Sequence, residues 1–287
     1  MKGVILAGGN GTRLFPLTIS SNKHLLPIYD KPMIYYSLSA LMLAGIREIC
    51  IICKQSDVNS FTKLLGNGSK FGLQIVYLTQ DQPLGIPHGL LQAREFVGDS
   101  NVCLMLGDNI LYGTGLASTI NSKLFNKSGA SIFTYTVRNP QDYGVAVLDK
   151  DSNIIDLVEK PKSFISNEAI IGLYMFDNTV FDICNEIKPS ARGELEIIDI
   201  LKHYLQINSL FNIKLSRGYA WLDTGTTTLI NQASNFVQAI QDRQGHIICS
   251  PEEIALKMQY IDIDKFNQLV DHYPDSLYKH SLRDVIK

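Results

Sequence analysis

Short runs of β-branched and apolar residues alternate with longer stretches of helical periodicity through the first half of the chain, which predicts βαβ units around a mostly parallel sheet. The apolar runs predict strands at 3–7, 48–54, 74–78, 101–106 and 131–136. Between them the spacing predicts helices at 33–44, 57–65, 87–97 and 116–125, the first two closed by Gly45 and Gly66. After Tyr143, residues 144–148 and 154–158 read as a hairpin turned at 149–153, and 169–176 as a further strand. The last third is largely helical, at 194–205, 229–244, 251–258 and 263–270, with one strand at 211–215 and a loop at 219–225. The expected class is α/β, a sheet flanked by helices, with one main domain over 1–245 and a helical C-terminal extension over 246–287.

Composition narrows the partners more than the fold. At 45% hydrophobic the chain can build a sizeable core, and 26 Lys and Arg against 28 Asp and Glu leave a formal net charge of −2. No broad basic field is offered to nucleic acid or to an anionic membrane, so any phosphate site has to be local. No apolar run is long enough to span a bilayer, and the chain enters its first strand without a leader. Five scattered cysteines suit a reducing cytoplasm. Cys50 and Cys53 have the spacing of half a zinc motif, but on a strand they face opposite ways and cannot easily share a metal.

The strongest local signal follows the first strand, where Gly8, Gly9 and Gly11 precede Thr12 and Arg13. Glycines let backbone N–H groups approach a polyanion, and Arg13 adds a planar fork of donors, so a nucleotide is the natural ligand. Two better-known phosphate loops fail: G-x-G-x-x-G requires glycine where Leu14 stands, and the Walker A pattern requires Gly-Lys-Ser/Thr where Gly11-Thr12-Arg13 stands. Asp108 closes the apolar run 102–106 at the end where open α/β sheets bind ligands, and Asp223 lies in a distant aromatic segment. Two such carboxylates suit Mg²⁺; each also has a plain reading, as a turn or a loop cap.

These motifs, with Lys23-x-Leu-Leu-Pro27 and Tyr29-Asp-Lys-Pro-Met-Ile34, resemble the start of the sugar-1-phosphate nucleotidyltransferases. Leu106-Gly-Asp-Asn109, Tyr143-Gly-Val145, Glu159-Lys-Pro161, Pro189-Ser-Ala-Arg-Gly-Glu-Leu-Glu196, Arg217-Gly-Tyr-Ala-Trp-Leu-Asp-Thr-Gly225 and Arg243-Gln-Gly245 are similar to the branch that acts on glucose 1-phosphate and dTTP. The resemblance implies a Rossmann-like nucleotide-diphospho-sugar transferase fold, with nucleotide binding over about 1–110 and sugar binding over about 111–225. It implies that dTTP and glucose 1-phosphate give dTDP-glucose and pyrophosphate, with Mg²⁺ on Asp108 and Asp223, for deoxysugar and surface polysaccharide synthesis. It further implies a homotetramer with an interface regulatory site for a dTDP-sugar.

The roles carried over are specific. Arg13 and Lys23 are expected at the triphosphate, and Lys160 and Arg192 at the sugar phosphate or α-phosphate; Arg13, Asp108, Lys160, Arg192 and Asp223 form the catalytic set. Leu6, Gly8, Gly9, Gly11, Thr12, Gln80 and Gly85 complete the nucleotide site, with Gln80 and Gly85 reading the base. Asn109, Tyr143, Gly144, Glu159, Ile170, Gly172 and Tyr174 are expected around the sugar. Glu194, Glu196 and Asp199 read more simply as favourable charge at the start of a helix. Two departures stand out. His24 follows Lys23 where the family has glutamine, and Pro87 with His88 sits beside the base-reading glycine.

Overall fold

The computed structural model of the 287-residue chain describes residues 1–120 and 128–286. The chain starts with β1 (Lys2–Leu6), then passes through the small hairpin of β2 (Pro27–Ile28) and β3 (Lys31–Pro32) into α1 (Ile34–Leu43). There follow β4 (Glu48–Cys53), α2 (Val58–Leu65), β5 (Gln74–Thr79), α3 (Ile86–Leu91), the single turn α4 (Arg94–Val97) and β6 (Val102–Leu106). These strands lie parallel in the order β6-β1-β4-β5, as the periodicity predicts. Alternate residues feed two cores: Ile5, Ile51 and Met105 pack on the α1 side, while Val4, Ile52 and Leu104 pack on the other. The same alternation sends Cys53 to the first core and Cys50 to the second, which separates the two thiols.

The second half adds β7 (Asn109–Gly113), α5 (Leu116–Ile120), β8 (Ala130–Thr136), β9 (Gly144–Leu148), β10 (Ile154–Glu159) and β11 (Glu168–Phe176). β11 joins the halves, because it runs antiparallel to β6 at its end, to β9 at its start, and to β8 on both sides of a register shift between Ile170 and Tyr174. After α6 (Val180–Glu186) and α7 (Ile197–Gln206), β12 (Leu210–Leu215) pairs parallel with β8 and completes a nine-stranded sheet. β13 (Tyr219–Asp223) pairs antiparallel with β7 in a separate ribbon. The chain then runs through α8 (Thr227–Gln244), α9 (Pro251–Lys257), α10 (Ile263–Asp271) and α11 (Leu277–Asp284).

Several expected boundaries move for identifiable reasons. The segment 219–225 is mostly strand, because Tyr219–Asp223 finds its hydrogen-bond partners in β7, which local periodicity also did not mark. The helix expected over 87–97 divides where Gln92 and Ala93 donate three residues back, to Gly89 and Leu90, in tight-turn geometry. The helix expected from 194 starts at Ile197, since Leu195 is drawn into a bridge with Gly85. The helix expected over 116–125 is seen as Leu116–Ile120; positions 121–125 lie outside the described residues. α11 was not marked by apolar periodicity. It is tied down by Tyr278, which donates to the fully buried Glu252 carboxylate together with Ser250 and Tyr273.

Candidate active site

The ends of β1 and β6 open into a cleft of about 590 Å³ between the parallel half of the sheet and the strands that follow it. Leu6, Gly8, Gly9, Arg13, Lys23, Gln80, Gly85 and Asp108 line it from the first half. From the second half come Asn109, Tyr143, Gly144, Glu159, Lys160, Ile170, Gly172, Tyr174, Arg192 and Asp223. Gly11 and Thr12 are outside this lining. Gly11, at φ +62, makes the left-handed turn that delivers Arg13, and its carbonyl accepts from the Thr18 hydroxyl at 3.1 Å.

The ribbon of β7 and β13 makes the carboxylate pair. Its ladder sets Asp223 opposite Asn109, and Thr224 donates through its N–H (3.2 Å) and its hydroxyl (2.7 Å) to the Asp108 carbonyl. Asp108 accepts from the Lys23 ammonium at 2.5 Å and from the Asn109 amide at 3.1 Å. Burial alone would raise the Asp108 carboxyl, but the Lys23 charge and both hydrogen bonds outweigh it and hold the group well below the usual carboxylate range. Asp223 moves the other way: burial, then the negative charge of Asp108, raises it, against the pull of Arg13 and Lys23. The Arg13 guanidinium lies against Gly225, where a Cβ would come within 2.6 Å of its Nη2. Any larger residue there would push the guanidinium aside.

At the nucleotide end Gln80 is buried; its amide donates to the Gln82 carbonyl at 2.9 Å while Oε1 lies against Gly8 and Gly89. Gly85 has φ +105, and a Cβ there would stand 2.1 Å from the Leu195 carbonyl oxygen. Gly85 and Leu195 form a parallel bridge, and the Leu195 N–H donates to the Leu84 carbonyl at 2.9 Å. The loop of Gly85 is thereby joined to the segment that carries Arg192.

At the other end, Asn109 Oδ1 accepts from the Trp221 indole at 2.6 Å and from the Gly172 N–H at 3.0 Å. Trp221 packs edge-on against Tyr143, with ring centroids 4.9 Å apart. Burial raises the Glu159 carboxyl, with help from Glu196 and against Lys160 and Arg192, which approach it at 3.8 and 3.6 Å. Lys160 takes a left-handed backbone conformation at φ +43, unusual for a lysine, and its N–H donates to the Tyr143 carbonyl at 3.0 Å. Trp221, Glu196 and Leu195 line the cleft as well, in positions not singled out as site residues from sequence. Trp221 could have been found from the aromatic density of its motif; Leu195 carried no local signal.

His24 also reaches the cleft, while His88 does not line it. The His24 ring is buried; burial first, and the Lys23 charge next, lower it to about 3, so it is neutral in the folded protein. An unfolded histidine takes its proton near pH ~6.5, so between there and about 3 the unfolded chain binds a proton the fold excludes, and stability falls as pH falls. Melting curves at pH 7.0 and 4.5 should therefore show a smaller drop in Tm for His24→Gln than for the wild type. Equal drops would mean that the ring is not held neutral.

Comparison with known proteins agrees with this geometry. The family described as Nucleotidyl transferase matches residues 2–240. A glucose-1-phosphate thymidylyltransferase of Xanthomonas campestris pv. campestris (strain B100) is 48% identical over 268 residues, 93% of this chain and 91% of its own. The enzyme of the same name from Neisseria meningitidis serogroup A is 45% identical over 288 residues, covering both chains completely. A solved structure from Bacillus anthracis, with sucrose bound and provisionally given that name, superposes with a TM-score of 0.76 at 38% identity over 82% of this chain and 94% of its own.

Proposed function

Because the chain belongs to the nucleotidyl transferase family, we propose that it joins dTTP to α-D-glucose 1-phosphate, forming dTDP-glucose and releasing pyrophosphate. The observation that carries this reading is a single cleft lined by Gln80 and Gly85, by Arg13, Lys23, Asp108 and Asp223, and by Glu159 and Tyr174; the first pair is assigned to the base and the last to the sugar hydroxyls. An oxygen of the sugar phosphate attacks the α-phosphorus of the triphosphate, the new P–O bond forms, and the bond to pyrophosphate breaks. With a second pKa near ~6 the attacking phosphate is already largely dianionic at neutral pH, so no general base is required. The protein's work is to align two polyanions and offset their repulsion. Arg13 and Lys23 are assigned to the triphosphate, and Lys160 and Arg192 to the sugar phosphate.

Asp108 and Asp223 would hold a divalent metal, Mg²⁺ in this proposal. They fit: two carboxylates reach one cleft, the Asp108 charge raises the cost of charge on Asp223, and among the described residues no third acidic, histidine or cysteine side chain completes an all-protein cage. When bound, the ion supplies charge neutralisation along the phosphates.

The proposal also includes the division into a main domain and a C-terminal extension, a cytoplasmic location, and a homotetramer with a regulatory dTDP-sugar site at an interface. The five cysteines are free thiols, and among the described residues no helix is long and apolar enough to cross a membrane.

A pyrophosphate-release assay across nucleoside triphosphates and sugar 1-phosphates tests the chemistry, with light scattering on the same sample reading the oligomer. Gln80 presents groups for the O4 and N3–H edge shared by thymine and uracil, and one methyl is worth only about 1–3 kcal/mol. Both dTTP and UTP should be used, dTTP by a margin of at most about 10²-fold, with purine triphosphates rejected. A GTP or ATP rate above the dTTP rate, or no pyrophosphate with any sugar phosphate, would overturn the reading.

A further inference from the structure

Glu196 stands at the start of α7, where a carboxylate usually serves the helix N-terminus, yet its side chain caps no helical N–H. Its oxygens are spent elsewhere. Oε1 accepts from Arg192 Nε at 3.2 Å, from Arg192 Nη2 at 2.9 Å and from the Ser190 hydroxyl at 2.7 Å, and Oε2 accepts from Arg192 Nη2 at 2.8 Å. Ser190 closes the loop by accepting from the Arg192 N–H at 3.2 Å. The Glu196 side chain is 14% exposed and that of Arg192 46% exposed, so a well-packed carboxylate holds a half-exposed cation.

A guanidinium has five N–H donors in a fixed fork, and the Nε/Nη2 edge is the one that Glu196 takes. Among the described residues Nη1 has no hydrogen-bond partner. Arg192 lines the cleft with Glu159 and Lys160 as neighbouring charges, the Glu159 carboxylate lying 3.6 Å from Nη2. The loop backbone is closed by the Ser190 N–H to the Glu194 carbonyl and the Gly193 N–H to the Ser190 carbonyl, both at 2.8 Å, but these bonds hold no side-chain atom of Arg192. Without Glu196, ordering a long side chain on that loop would have to be done by the ligand itself.

We propose that Glu196 is a positioning residue, which with Ser190 fixes one edge of Arg192 so that the other edge meets the phosphate of the sugar 1-phosphate. The inference rests on the assignment of Arg192 to that phosphate and deepens it. It differs from a direct role of Glu196 on a sugar hydroxyl, which would act without Arg192, and from a helix-start role, which would act on stability.

The test is a double-mutant cycle on the full chain, using the sugar 1-phosphate that the wild type turns over best. Glu196→Ala should raise KM for the sugar phosphate about 10- to 50-fold with KM for dTTP within about twofold, and Glu196→Gln, which keeps one acceptor, should fall between. In an Arg192→Ala background Glu196→Ala should add less than about twofold. Losses that multiply in the double variant, a KM that falls in Glu196→Ala, or equal effects on both substrates with a lowered Tm would each overturn the proposal alone. A wild type inert toward every sugar 1-phosphate would overturn it together with the functional reading.

Discussion

Asp108→Asn is expected to lower kcat for pyrophosphate release by about 10²-fold or more, with a lowered Tm but a native fold. The side chain follows β6 at the mouth of the parallel sheet, and its two oxygens are engaged by Lys23 and Asn109. Asparagine keeps the shape and one acceptor oxygen but removes the charge, so Lys23 loses its counter-ion and the proposed metal loses a ligand. The fold should persist, because the backbone carbonyl at this position still accepts from Thr224. Asp223→Asn should behave alike for the same chemical reason, although its carboxyl begins from a raised rather than a lowered proton affinity. A near-normal kcat in either variant would remove the metal assignment.

Gly85→Ala carries the second large effect, an expected loss of about 10- to 100-fold in kcat/KM for dTTP together with a higher KM for the sugar phosphate. A left-handed backbone costs a residue with a Cβ of order 1–3 kcal/mol, roughly 5- to 150-fold if it is all expressed in binding. Here the added carbon would also stand 2.1 Å from a main-chain oxygen of Leu195, and no side-chain rotation relieves a contact between backbones. The loop must move, and the bridge moves Leu195, hence the approach to Arg192 and Glu196. Steady-state kinetics varying each substrate in turn would read both shifts. Unchanged KM values for both substrates would show that the two loops are not coupled.

What sequence reveals here is what local chemistry encodes. The glycine turn before Arg13 and the strand before Asp108 declare themselves, because a tight turn needs glycine and a buried parallel strand needs an apolar run. The parallel half of the sheet follows from these, whereas most of the expected site residues, which all line the one cleft except Gly11 and Thr12, were implied by the family resemblance. Tyr219–Asp223 was legible only as a loop, since its ladder with Asn109–Gly113 satisfies its backbone from far away in the chain. Glu196 likewise looked like helix-start charge, because sequence shows the spacing to Arg192 but not which of two partners the carboxylate chooses. The burial of His24 comes from tertiary packing, which no neighbouring residue announces.

The β7–β13 ribbon also sets when activity can first exist during synthesis. The bond from Trp221 to Asn109 spans 112 residues and that from Thr224 to Asp108 spans 116. A chain still emerging from the ribosome can assemble the parallel strands, the glycine turn and the Lys23–Asp108 pair long before Asp223 has been made. Both bonds need a segment made more than a hundred residues after its partner, so Asp223 can join the cleft only once the chain has been made past β13. If Asp223 holds the metal as proposed, chains truncated before the ribbon should release no pyrophosphate.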